Sequence, residues 1–429
     1  MYALALAGAA LSACTAPAAD AADDGITLAP IETASVPTGV GAAPVVALDS
    51  AGRRAIAWVS APDSGSDGHL HVSVDGRPPT EIRDALGAIE AHGEAPPKLV
   101  YERSGTLHAL YVVAKVVPGR RFPTSALRHI SSRDGGRTWT PPASVTDAAV
   151  FGSYNFHALH VSAEGVLYAS WLDGRDGKSA TYLTRSTDGG ATWEANRRVA
   201  PGEACPCCRT AIATATGGIV YIAWRTVMPG NIRDIVVARS SDGGVTFAPP
   251  VRVHADDWVF EACPHAGPSM ATDPDGRLHV TWWTGKDGNA GVFYAQSTDG
   301  ATTFARPVAL GVAAFSRASH VQLALGDSGR IAAVWDDGTL TSPEIVLRVS
   351  RDNGTSFGAP ARLSDEGRAA TYPMLVWSGS ALTVAWSEKS TEVAEHAAHN
   401  MPDHRDKNAV MGLPRVGASQ VMLRSVSVR

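Results

Sequence analysis

Charge is sparse in this chain of 429 residues. Asp, Glu, Lys and Arg together make up 18% of it, with a formal net charge of −5. That balance gives no basic stripe and no reason to expect nucleic acid as a partner. Beyond the first residues no apolar run is long enough to cross a bilayer. Cysteine is rare, at five residues, and no Cys-x-x-Cys-His haem-attachment motif is present. What remains is 45% hydrophobic with 42 Gly and 27 Pro. Low charge with many turn residues suits one large all-β domain.

The turn residues recur in phase. Ser132-Arg-Asp134-Gly-Gly136-Arg-Thr138-Trp139 is echoed by Ser186-Thr-Asp188-Gly-Gly190-Ala-Thr192-Trp193 and Ser240-Ser-Asp242-Gly-Gly244-Val-Thr246-Phe247. Ser297-Thr-Asp299-Gly-Ala301-Thr-Thr303-Phe304 has Ala in place of the second Gly. Ser350-Arg-Asp352-Asn-Gly354-Thr-Ser356-Phe357 has Ser in place of Thr. The aspartates step by 54, 54, 57 and 53 residues. Such a period, built on turn residues, marks a radial β array. Asp followed by Gly-Gly or Asn-Gly makes a hairpin turn at positive φ. The Ser and Asp side chains can bond nearby backbone N–H groups, and the following aromatic pins the hairpin to its neighbour. These aspartates are therefore read as structural.

The five segments resemble the Asp-box, or BNR repeat, of the sialidase-type β-propellers. Between them runs a second pattern, a strand, a Gly turn and a strand ending in an aromatic. Gly52, Gly105, Gly165, Gly218, Gly276 and Gly329 each lie six residues before Trp58, Tyr111, Trp171, Trp224, Trp282 and Trp335. A seventh unit runs from Pro373 to Trp386. Alternating strands of this kind read as antiparallel β. The chain is expected to form seven four-stranded blades, with the six of true sialidases as the alternative. The last blade lacks its fourth strand, and Ile26–Glu32 is expected to supply it beside Gln420–Val428. That pairing would close the ring and remove its edges.

Residues 1–14 are small and apolar and look like an export signal. Leu11-Ser12-Ala13-Cys14 resembles a bacterial lipobox, which makes Cys14 the lipidated residue. No Lys or Arg precedes the run. Residues 15–25 then read as a tether and 26–429 as the propeller. The expected location is the periplasm or the cell surface, on a lipid anchor.

Four further cysteines gather before two inner strands. Glu203-Ala-Cys205-Pro-Cys207-Cys208 is echoed by Glu261-Ala-Cys263-Pro-His265. His157 and His320 stand at the same station of other units. Repeat phase alone brings these seven residues toward one mouth of the central channel. Thiols with imidazoles suit copper or zinc. Two disulfides, a metal or redox site, and unpaired structural thiols all remain open. A long segment near 388–419 carries His396, His399, Met401, His404 and Met411, residue types that also ligate copper.

The sialidase resemblance implies a Tyr nucleophile with a Glu partner, an Asp acid/base and three Arg on the substrate carboxylate. Tyr372 and Arg225 occupy matching places, and Arg317 is a looser candidate. The early Phe/Tyr-Arg-Ile/Leu-Pro signature is absent. Arg209 or Thr210 stands where the Glu is expected. The sequence therefore points first to an exported, monomeric binding module with copper, zinc or disulfides at the channel mouth. Its partner would be a small molecule, a glycan or an envelope protein. The alternative is a sialidase or a related glycoside hydrolase.

Overall fold

Each Asp-box folds as its residues demand. Ser132 Oγ donates to Asp134 Oδ1 at 2.8 Å and accepts from Gly136 N at 2.8 Å. Asp134 in turn accepts from Thr138 N at 3.0 Å and Thr138 Oγ1 at 2.6 Å. The same knot recurs at Asp188, Asp242, Asp299 and Asp352. Hydroxyl and backbone donors hold the carboxyls of Asp134 and Asp242 well below their ordinary value, and those of Asp188 and Asp299 at about 2. A depressed carboxyl stabilises the fold above its unfolded pKa, and that support is lost as pH falls through the folded one. Thermal stability is therefore expected to fall steeply between about pH 4 and pH 2. In an Asp188→Asn/Asp299→Asn variant the fall over that window should be shallower. An unchanged pH profile would contradict this.

The computed structural model describes residues 25–60, 68–120, 122–312, 318–337, 342–390 and 419–429. It is a ring of seven antiparallel sheets. Blade 1 runs through Ala42–Leu48, Arg54–Ser60, His69–Val74 and Thr80–Ile82. Blades 2 to 6 repeat it, with innermost strands Lys98–Tyr101, Tyr154–Val161, Ala211–Ala215, Ser269–Thr272 and Gln322–Leu325. Blade 7 contains Arg368–Ser378, Ala381–Ser390 and Gln420–Val428, and its outer strand is Ile26–Thr33. That strand pairs antiparallel from Ile26 opposite Val428 to Thr33 opposite Met422. The first and last strands thus close the ring as the sequence predicts. No described helix is long and apolar enough to cross a membrane.

The core is divided among the blade interfaces. Trp58, Trp171, Trp282 and Trp386, at equivalent places on second strands, are fully buried. Each indole N–H finds an acceptor, on Thr38, Asp173, Asp256 and Glu388 respectively. A buried indole keeps its apolar gain only when that donor is satisfied.

The fourth box shows what the second Gly is for. Gly190 has φ +82°, and a Cβ there would lie 2.1 Å from the His129 ring. Ala301 holds the same place at φ +64°. Its methyl is buried in a cluster with Val237, a smaller neighbour than His129. Space permits the Ala, but its backbone is still strained. Ala301→Gly is expected to raise stability by about 0.5–1 kcal/mol, seen as a higher urea midpoint at constant slope.

Candidate metal centre

Several inner strands are bulged near their first residues. Register breaks fall between Ala42 and Val45, Asn155 and Ala158, and Thr371 and Met374. At these breaks Ala43, Phe156 and Tyr372 have φ near +55°, and His265 has the same conformation in blade 5. A bulge of this kind re-aims one side chain out of the strand's alternation. Here it sends rings across the channel. The His92 ring lies 5.7 Å from His265 and 5.4 Å from Phe156, and His320 lies 4.0 Å from Tyr372. Gly93 is required by the approach of Tyr372, whose ring would lie 2.3 Å from a Cβ there.

Beneath these rings a buried ion pair ties distant blades together. Glu94 comes from the loop of blade 2. It accepts from Arg209 N at 3.1 Å and Gly267 N at 2.6 Å, and it pairs with the Arg209 guanidinium. Arg209 Nη2 also donates to Val321 O at 2.6 Å. One carboxylate and one guanidinium thus join blades 2, 4, 5 and 6 across the channel. Lys98 lies close enough for burial and Arg209 to lower its amine to about 7. Burial, with repulsion from His265 and His320, lowers His92 to about 3, so it is neutral.

The thiols gather at the edge of this mouth. Cys205, Cys207 and Cys208 are buried, while Cys263 is exposed. Cys205 Sγ lies 3.7 Å from Cys207 Sγ and 3.6 Å from Cys208 Sγ. The ligand atoms of these three lie within 4.8 Å of one another, as do those of Cys207, Cys263 and His265. None of the four described cysteines is in a disulfide, so neither bridge considered from the sequence is formed. Hydrogen bonds from Cys207 and Cys208, then the Arg225 and Arg233 guanidinium groups, hold the Cys205 thiol far below its ordinary value. Its bond with Cys205 pushes Cys207 up, and burial pushes up Cys208. Of the three, Cys205 is the sulfur whose surroundings most favour the thiolate, with Cys208 Sγ donating to it. Arg233 Nη1 donates to its sulfur at 3.1 Å.

Not every residue expected at this mouth joins the cluster. His157 is fully buried, and burial and Lys98 lower its imidazole. It belongs to neither thiol group. His320 Nδ1 instead contacts Asp336 Oδ2 at 2.6 Å, and Asp336 also accepts from Tyr372 N at 3.1 Å. Arg225 is 1% exposed. Its guanidinium donates to the carbonyls of Ala266, Arg233 and Trp283. Cys14, Arg317, His396, His399, Met401, His404 and Met411 lie outside the described residues. His92, Glu94, Arg233 and Asp336 were not foreseen. His92 precedes its inner strand as His320 does, but Pro96-Pro97 displaces it upstream. Arg233 lies in a hairpin with no motif to mark it.

Residues 88–259 match the family described as BNR repeat-like domain. No curated protein matches the chain in sequence. Among solved structures, a protein of unknown function from Dyadobacter fermentans is 16% identical, with a TM-score of 0.51 over 94% of this chain and 100% of the other. A polysaccharide lyase described as an ulvan lyase is 13% identical, with a TM-score of 0.50 over 81% and 91%. A Hadza microbial sialidase is 16% identical, with a TM-score of 0.47 over 76% and 72%. At these identities the likeness concerns the fold alone.

Proposed function

We propose that this chain, a sialidase-like BNR-repeat β-propeller, is a binding module of the cell envelope whose site is a soft-metal centre. Cys207, Cys263 and His265 are its ligands, and copper or zinc is the metal. The observation that carries the reading is the approach of their ligand atoms to within 4.8 Å of one another. They come from two blades whose boxes are 57 residues apart. Two thiolates and an imidazole form a donor set that copper and zinc prefer over hard cations. Exposed Cys263 offers the ion a way in, and buried Cys207 offers it an anchor. Export through the first 14 residues and anchoring at Cys14 are part of the same proposal.

Protein purified from the envelope fraction without chelator is expected to carry copper or zinc. Cys263→Ser and His265→Ala should each remove the ion held by Cys207, Cys263 and His265, seen as a fall of at least one equivalent per chain, while the fold is kept. Metal-free protein that also fails to take up either ion would sink the reading.

The alternative is a sialidase. In its favour, Tyr372 sits at the mouth beside His320. Against it, the Arg225 guanidinium is spent on three carbonyls and offers no carboxylate clamp. An aryl sialoside is therefore expected to stay intact. Robust hydrolysis that vanishes in Tyr372→Phe would reverse the order of the two readings.

A further inference from the structure

Cys207 belongs to both thiol groups. We propose that the site holds two monovalent copper ions bridged by the Cys207 thiolate, which rests on the soft-metal reading above. The inner ion is bound by Cys205, Cys207 and Cys208, and the outer ion by Cys207, Cys263 and His265.

Distance is the first argument. Three sulfurs around one ion at about 2.3 Å stand about 4.0 Å apart in a trigonal plane. The observed separations of Cys205 from Cys207 and Cys208 are 3.7 and 3.6 Å. The inner triad is thus close to ligating spacing with no change of fold.

Coordination number is the second. The inner cysteines are 0%, 4% and 1% exposed. No fourth His, Cys, Asp or Glu among the described residues joins their group. Structural zinc asks for four ligands, and a sealed set of three thiolates suits monovalent copper better. Soft thiolates also bridge copper readily.

Charge is the third, and it is independent of the sulfur geometry. Arg225 and Arg233 are beside the thiols, and neither has a carboxylate partner among the described residues. Arg225 bonds only carbonyls and lies over the Trp258 ring. Arg233 bonds Phe260 O, Asn231 Oδ1 and Cys205 Sγ. Arg225 is fully buried and Arg233 half-buried, and guanidinium groups withdrawn from water need compensating anions. Four thiolates around two monovalent ions leave two negative charges, which these two arginines balance. Two divalent zinc ions would leave the arginines uncompensated. Each of the four cysteines loses its proton to solvent on binding, Cys207 losing one for its two copper bonds, and copper stays monovalent, so no electron is transferred.

The test is an anaerobic titration of the reduced full chain with copper(I), supplied as a chelate with a chromophoric competitor. It is read together with X-ray absorption at the copper edge. Two equivalents and a short copper–copper vector are expected. Cys205→Ser, Cys208→Ser, Cys263→Ser and His265→Ala should each leave one equivalent, and Cys207→Ser should abolish the metal–metal vector. The wild-type stoichiometry decides even where a variant fails to fold. One equivalent, or two without a copper–copper vector, overturns the bridged pair and leaves the single-ion reading standing. No uptake of copper or zinc overturns both.

Discussion

Deleting residues 26–33 is expected to remove about 5 kcal/mol of stability and to end cooperative unfolding. The strand contributes six registered pairs with Gln420–Val428, each worth roughly 0.2–1 kcal/mol. It also covers the core of the last blade with Ile26, Leu28 and Ile31, at roughly 1 kcal/mol for each half-buried side chain. Arg424 Nε loses its acceptor, Ala29 O at 2.7 Å. The strand Gln420–Val428 then becomes an open edge, which recruits other chains. The shortened chain should therefore unfold at a much lower urea concentration and elute partly as oligomers. A peptide of residues 25–35 added in trans should restore part of the loss by β-addition. A monomer of unchanged midpoint would refute the closure argument. The contact would then be incidental to the ring's stability.

Glu94→Gln is expected to cost about 3–5 kcal/mol, the usual effect of stranding one member of a buried pair. The carboxylate is 0% exposed and takes three donors from blades 4 and 5. The amide would turn an N–H toward the Arg209 guanidinium and leave that cation without a counter-charge. For a fold of ordinary stability this is a large share of the total. Glu94→Gln combined with Arg209→Met should recover much of the loss, because the stranded charge is gone. Chemical denaturation of Glu94→Gln, Arg209→Met and the double variant measures the coupling. If the single and double variants fall equally, the pair is not the tie between blades that its position indicates. Copper uptake should survive in both, since neither residue touches sulfur.

The repeat made the blades legible. Asp, Gly and an aromatic at fixed phase name a turn and what packs behind it, and both depend on residues within a few positions of each other. The closing strand was legible for a related reason, since a ring of four-stranded blades leaves one strand unaccounted for. The meeting of Cys207, Cys263 and His265 followed from phase too, because equivalent loops of a ring must face one axis. Phase could not say how far each side chain reaches. His157 and His320 share the station of the cysteine loops, yet one is fully buried apart from the thiols and the other is held by Asp336.

The sequence by itself determined the number of blades, the way the ring closes and the end of the channel that gathers thiols and imidazoles. These depend on local turn chemistry and on counting. Only the tertiary structure decided which sulfurs share a neighbour, that Glu94 and Arg209 tie four blades together, and that two arginines without carboxylates flank the cysteines. Those facts join residues that no common spacing links. Glu94 and Gly267 are 173 positions apart in the chain and 2.6 Å apart in the fold. Their meeting depends on the curvature of the ring and the packing of every blade between them.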